Sequence, residues 1–323
     1  MPDSGVTAAS AVVFDRVSKR FGGVEAVKDV SLDVRRGEMF GLIGPDGAGK
    51  TTMIRLMCGL LRADAGRIRV LGCDPMGDRW AVARKVGYFS QRFSLYGDLS
   101  VDENIAFFAE IHGLSRYEAR RNRLLDMMQL TEFRGRVAER LSGGMKQKLA
   151  LACTLVHEPS AIFLDEPTTG VDPVSRREFW KLLSEFLAQG ITILMATPYL
   201  DEAERCSRVA LLDRGELLAL DTPDRLRREL PGVVVEVIAE PREAAVAALR
   251  AAAGAADVQA FGERIHARLV SDAGPALARV SAALARPGLS TASVRIVPAS
   301  LEDVFINRVA PDRPAGRTDQ VQS

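Results

Sequence analysis

Met39-Phe40-Gly41-Leu42-Ile43-Gly44-Pro45-Asp46-Gly47-Ala48-Gly49-Lys50-Thr51-Thr52 is an apolar run of strand length, a glycine-rich turn, then a lysine and two threonines. From Gly44 to Thr51 it fits G-x-x-x-x-G-K-[ST], placed after a predicted strand and before a predicted helix near Gly49 to Gly59, which is the context that gives the motif meaning. The residue types follow from the chemistry. Glycines let backbone N–H groups converge on phosphates, the start of the helix adds the positive end of its dipole, Lys50 reaches the β and γ phosphates, and Thr51 offers a hydroxyl to Mg2+. A mere turn before a helix would need the glycines but not the lysine. The stretch therefore predicts an α/β fold built around a nucleotide.

Reading outward, short β-rich runs (Ala11 to Val17, Ala26 to Val34, Arg67 to Leu71) flank the loop, and Val86 to Ser90 reads as another strand. From about Arg92 to Arg140 the pattern is helical, with Ser100 and Glu103 in capping-box spacing before Ile105, Phe107, Phe108 and Ile111. Continuous apolar runs at Ala161 to Leu164, Ile191 to Ala196 and Val209 to Leu212 alternate with helices, as buried strands of a mostly parallel sheet do. Asp172-Pro173 and Thr222-Pro223 are N-cap and first-turn pairs for two of those helices. Beyond Gly232, strands at Val233 to Ala239, Ile265 to Val270 and Ser293 to Val297 and helices at Arg242 to Ala252 and Ala276 to Ala285 predict a small α+β domain, with a ferredoxin-like arrangement as the expectation. The expected division is a flexible segment 1–10, a nucleotide-binding domain 11–230 with a helical part at about 92–150, an accessory domain 231–310 for assembly or regulation, and a disordered tail 311–323.

Composition narrows the function classes. Forty-three basic against 42 acidic side chains leave a net charge of +1, so there is no global electrostatic case for nucleic acid. Cys58, Cys73, Cys153 and Cys206 lie far apart without CxxC spacing, which suits reduced thiols rather than disulfides or zinc. The N-terminal residues lack the basic and apolar regions of a secretory signal, and no run approaches the ~20 apolar residues of a membrane span. A cytoplasmic location is expected, and any membrane work falls to another chain.

Two further stretches carry chemistry. Ala161-Ile162-Phe163-Leu164-Asp165-Glu166 is a buried strand ending in two acids, suited to a metal-associated Asp165 and a Glu166 that polarises an attacking water. Strands often end in an acid for solvation or capping, so the pair alone decides nothing; joined to the phosphate loop, it specifies an NTPase. Ser142-Gly143-Gly144 opens a helix with little side-chain bulk, which makes an anion site but is equally an ordinary N-cap.

Order and spacing settle that ambiguity. GPDGAGKTT, then LSGGMKQK, then LDEPTTGVDP resembles the Walker A, signature, Walker B and D-loop set of the ATP-binding cassette (ABC) ATPases, over about Ala11 to Leu230. The resemblance implies an α/β P-loop NTPase with an antiparallel β subdomain and a helical insertion, ATP and Mg2+ as ligands, and a dimer in which one protomer's signature meets the ATP held by the other. It implies nucleotide contacts from Phe21, which matches the aromatic that stacks on adenine, from Gly44, Pro45, Asp46, Gly47, Ala48, Gly49, Lys50, Thr51 and Thr52, and from Ser142, Gly143, Gly144 and the D-loop Asp172. Thr51, Gln91 and Asp165 are implied at the metal, and Glu166 with Gln91, which matches the Q-loop, in catalysis. The C-terminal part, ending Pro298-Ala299-Ser300-Leu301-Glu302-Asp303-Val304-Phe305, is similar to the exporter branch related to multidrug and daunorubicin-resistance ATPases, peripheral to the cytoplasmic face of the membrane and joined to integral-membrane subunits.

Two departures stand out. Asp46 replaces a usual Asn at a variable position, with little expected loss of affinity. Pro198, in Met195-Ala196-Thr197-Pro198-Tyr199, stands where the family's switch histidine contacts the γ-phosphate, and proline has no side-chain donor. Pro198 leaves open a weakly hydrolysing regulatory subunit, and suggests a heterodimer with a second ABC ATPase that retains the histidine; a soluble ABC protein outside transport is a further alternative.

Overall fold

The computed structural model describes residues 10–91 and 95–309, so the expectations for the segment before Ser10 and for the tail, and residues 92–94 at the start of the helical part, lie outside the described residues. The chain divides into two compact units, one ending at Asp221 and the other beginning at Thr222, earlier than the division after Leu230 read from the sequence.

In the first unit β1 (Ser10–Phe21) and β2 (Val24–Arg35) form a hairpin, β3 (Met39–Ile43) runs into the glycine loop and α1 (Lys50–Met57), and β4 (Ala65–Val70) returns to β1. Ser10, expected in a flexible segment, is instead the buried first residue of β1. α2 (Arg79–Lys85) leads to β5 (Val86–Phe89); α3 (Val101–Ile111), α4 (Glu118–Met127) and α5 (Gly143–Leu155) make the helical part. β6 (Ala161–Asp165), α6 (Pro173–Ala188), β7 (Thr192–Thr197), α7 (Leu200–Ala203), β8 (Arg208–Asp213) and β9 (Glu216–Asp221) complete it.

The sheet orders follow from these pairings. β2-β1-β4 is a three-stranded antiparallel sheet, and β5-β6-β7-β3-β8-β9 is a six-stranded sheet, parallel except for β9. β3 and β6 are buried along their whole length, which is why both read as unbroken apolar runs rather than alternating ones. α1 buries Met53, Ile54, Leu56 and Met57 in a core shared with Val12, Phe14 and Val30 of the small sheet and Phe40, Phe163 and Leu194 of the large one. The phosphate-loop helix is thereby fixed by both sheets.

The second unit is α8 (Pro223–Arg228), β10 (Val233–Glu240), α9 (Arg242–Ala252), β11 (Asp257–Phe261), β12 (Arg264–Leu269), α10 (Ala273–Leu284), β13 (Ser290–Val297) and α11 (Leu301–Val309). α8 packs against α11, and that contact accounts for the boundary at Thr222. The strand order β11-β12-β10-β13, all antiparallel, is the split βαβ of a ferredoxin-like unit. Its core packs Val235, Val237 and Ile265 against Ala245 and Leu249 of α9 and Ala276 and Val280 of α10.

Candidate active site

Four neighbouring parallel strands, β5, β6, β7 and β3, deliver the candidate residues at their C-terminal ends, where an open α/β sheet binds ligands. β3 ends in the glycine loop, β6 in Asp165 and Glu166, β5 is followed by Gln91, and β7 ends at Thr197 with Pro198 next. The register pairs Ile43 with Thr197 and Asp165 with Ala196, so β7 and its Pro198 stand between the loop and the acids.

Two glycines of the loop have a backbone reason to lack a side chain. A Cβ on Gly44 would lie 2.2 Å from the Leu212 carbonyl oxygen, and one on Gly49, at φ +101°, 2.3 Å from that of Ala26. Gly49 is also the N-cap of α1, with no side chain capping the helix and no acid in its first turn, so the positive end of the helix is left unneutralised by its own residues. A cleft of about 410 Å3 opens there, walled by Asp46 to Thr52 on one side, Val24 and Ala26 on another, and Gln91 and Glu166 opposite.

Lys50 is 4% exposed; its Nζ donates to the carbonyl oxygens of Gly44 (2.8 Å) and Pro45 (3.1 Å) and lies 3.5 Å from Glu166 Oε1. Glu166 is held from the other side by Gln91, whose Nε2 donates to Oε2 at 3.0 Å, and by the Thr169 hydroxyl at 3.4 Å. Its backbone is left-handed, φ 51°, with its N–H donating to Ala196 O at 2.9 Å. A non-glycine residue there costs about 1–3 kcal/mol and persists only where its surroundings over-determine it.

Asp165 is fully buried and accepts from the Thr51 hydroxyl at 3.0 Å through Oδ1, while Oδ2 is buried with no protein partner. Burial pushes its pKa above the usual carboxylate range, the Thr51 hydrogen bond opposes the rise, and the charge of Glu166 adds to it. A buried carboxylate oxygen without a donor, beside a hydroxyl, has the chemistry of a divalent-cation ligand, so Thr51 and Asp165 fit Mg2+.

The remaining expected residues lie apart from this cluster. Ser142 caps α5, accepting from Met145 N at 3.3 Å, and Asp172 caps α6, its Oδ1 accepting from the N–H groups of Val174 and Ser175 at 3.0 Å each. Neither they nor Gly143 and Gly144 wall the cleft. Gly144 has a reason within the chain, since a Cβ would meet Ser175 Oγ at 2.3 Å, whereas Gly143 faces open space. Phe21 is 47% exposed at the hairpin tip, paired with Val24, which walls the cleft. No histidine reaches the site among the described residues: His112 and His157 stack on each other at 3.8 Å, and His266 pairs with Asp303 in the second unit.

Sequence reading missed Val24 and Ala26, which have no motif of their own, gave no role to Thr169 within LDEPTTGVDP, and missed the buried partner of the following turn. Glu202 of α7 is 1% exposed and accepts from the Thr168 hydroxyl at 2.6 Å.

The family model described as ABC transporter matches residues 27–169. The probable multidrug ABC transporter ATP-binding protein YbhF of Escherichia coli is 45% identical over 228 residues, 69% of this chain, which spans 39% of that relative's length. The daunorubicin resistance ATP-binding protein DrrA3 of Streptomyces coeruleorubidus is 36% identical over 312 residues, 95% of this chain and 98% of the relative. Among solved structures, the dimeric structure of MJ0796, a bacterial ABC transporter cassette, superposes with a TM-score of 0.59 at 26% identity over 65% of this chain and 98% of that one. With one relative matched end to end at that identity, and with the phosphate loop and acid pair converging in one cleft, the chain belongs to the ABC transporter family, among its ATP-binding proteins.

Proposed function

We propose that the chain is the ATP-binding and ATP-hydrolysing subunit of an ABC exporter, driving transport through separate integral-membrane subunits at the cytoplasmic face of the membrane. The observation that carries the proposal is Glu166, held between Lys50 and Gln91 at the edge of the phosphate loop. Lys50 Nζ lies 3.5 Å from Glu166 Oε1, and β and γ phosphates compete with that carboxylate for it, drawn also by the loop N–H groups and the end of α1. That transfer frees Glu166 to accept a proton from an attacking water, with Gln91 keeping its carboxylate in place. Asp165 and Thr51 would hold Mg2+, which would supply positive charge against that of the phosphates.

Gly143, bare of side chain and open to its surroundings, supports a role for Ser142 to Gly144 toward a second copy or a related ATPase, as does the dimeric cassette this chain resembles. A membrane partner is supported by an apolar groove whose lining includes Leu60, Tyr88 and Phe108, with Leu60 58% exposed. The export direction rests on likeness to relatives named for multidrug and daunorubicin resistance.

Pro198 favours a second reading, a subunit that hydrolyses slowly by itself and pairs with an ATPase whose site is complete. Losing one donor to developing phosphoryl charge costs about 2.7–4 kcal/mol, roughly 10²–10³ in rate.

Nucleotide titration tests the binding half. Lys50→Ala should weaken MgATP binding by at least about tenfold, as expected for removing a charge-assisted contact worth ~1.5–3 kcal/mol, while Glu166→Gln binds as the wild type does. Unchanged affinity in Lys50→Ala would remove the cleft from consideration.

A further inference from the structure

Glu202 is a charged side chain buried to 1% exposure outside the cleft. Its Oε1 collects three donors: the Thr168 hydroxyl at 2.6 Å, Arg176 Nε at 2.7 Å and Trp180 Nε1 at 3.4 Å, while Oε2 has no partner. Arg176 also binds Asp201 at 2.9 Å and lies over the Tyr199 ring at 4.9 Å. A buried ion pair is poor value as stability alone, since well-packed apolar groups of the same volume often do as well or better. What it supplies is a fixed relation among the pieces it joins.

Those pieces all bear on the catalytic carboxylate. Thr168 follows Glu166 by two residues, and the neighbouring Thr169 donates to Glu166 itself. Arg176 and Trp180 belong to α6, which starts at the Asp172 cap. Glu202 sits on α7, a single turn too short to stand by itself, directly after Thr197-Pro198-Tyr199. Glu166 keeps its left-handed backbone, so something must restrain it on both sides. Ala196 O holds its N–H, and Thr168, anchored on Glu202, holds the chain that leaves it. Pro198 contributes no side-chain hydrogen bond to that restraint.

We infer that Glu202 is a positioning residue for hydrolysis: through the Thr168 hydroxyl it pins the turn after Glu166, so that the carboxylate stays aimed into the cleft without a switch histidine. This rests on Glu166 as the water-activating group. Misplacement of a reacting group by about 1 Å can cost 10²-fold in rate, which sets the size of effect to look for.

The test is steady-state phosphate release from MgATP by full-length Thr168→Val, Glu202→Met and the double variant, with thermal midpoints alongside. Thr168→Val removes only the hydroxyl and keeps the volume, so it carries the test if Glu202→Met, which removes the acceptor, fails to fold. Expected are kcat losses of about tenfold or more with KM for MgATP within about twofold, and a double variant no slower than the slower single one, because Glu202 acts on the turn through the Thr168 hydroxyl. An unchanged kcat in Thr168→Val, a rise in KM that matches the loss, or fully multiplicative losses in the double variant would overturn the inference. If Glu166→Gln releases phosphate as fast as wild type, it is the role of Glu166 that fails, a result separable from any behaviour of Thr168→Val.

Discussion

Asp165 carries a cost that its proposed ligand would relieve. Its pKa is raised by burial and by the neighbouring charge of Glu166, against the Thr51 hydroxyl and the charges of Arg55 and Lys50. For a carboxyl whose folded pKa lies above its unfolded value, the favourable contribution is complete below the unfolded pKa and is lost as pH rises through the folded one. At neutral pH the charged Asp165 therefore weakens the nucleotide-free fold. Asp165→Asn keeps an acceptor for Thr51 and removes the charge, and should stabilise the metal-free protein by about 0.5–2 kcal/mol, the usual gain from removing a functional-site strain. The same variant should lose the Mg2+ dependence of nucleotide binding. Urea unfolding in chelator with a parallel ATP titration checks both, and an Asp165→Asn protein less stable than wild type would contradict the cause assigned to the shift. Motif residues such as Lys50, Thr51, Asp165 and Glu166 were legible in the sequence because their chemistry fixes both type and spacing. Glu202 was not, since an acid on a one-turn helix looks like any solvated charge until the fold buries it.

Elements with explicit start signals were equally legible. Ser100 and Glu103 form the reciprocal capping box, at 3.3 and 2.8 Å, and Asp172 and Thr222 cap the helices begun by Pro173 and Pro223. β11 escaped because Val258 is the one fully buried residue of this short edge strand, and α2 because Val82 alone is buried on it. α11 was quoted for its resemblance but not read as a helix, and the structure gives it a polar anchor. Asp303 of α11 bonds His266 Nδ1 of β12 at 3.1 Å and the Ser300 hydroxyl at 2.7 Å, while His266 Nε2 lies 3.7 Å from the buried Glu236, itself paired with Arg295 and Arg264. The Asp303 hydrogen bond, more than burial opposes, raises the His266 pKa, with Glu236 adding to it. A histidine with a raised folded pKa stabilises fully below its unfolded pKa, about 6.5, and loses that contribution as pH rises through the folded value. The stability gap between wild type and His266→Gln should therefore be widest near pH 6 and close toward pH 9. Denaturant midpoints at the two pH values measure it, and a gap that widens with pH would reverse the assignment.

At the scale of the whole chain, the α/β class, the helical insertion and the α+β character of the second unit were readable from alternating strands and helices, while its βαββαβ order was completed only by β11. The boundary at Thr222 was not, because it depends on α8 meeting α11 from far along the chain. Pro198 bears on assembly. If the working pair is asymmetric, restoring Pro198→His should raise phosphate release by this chain alone, by up to about 10²-fold for a regained donor, and a second ATPase should co-purify with the membrane subunits; two copies of this chain with no gain from Pro198→His would exclude that arrangement. If ATP is hydrolysed in the cleft between Lys50 and Glu166, the reaction there depends on the Glu166 carboxylate. The deciding measurement is single-turnover phosphate release from MgATP in the complex with its membrane subunits, assembled with wild type or Glu166→Gln at matched nucleotide occupancy. Hydrolysis through this cleft predicts a fall of about 10² or more at the site that uses Lys50, the scale of losing a general base, and equal release from both proteins would contradict it.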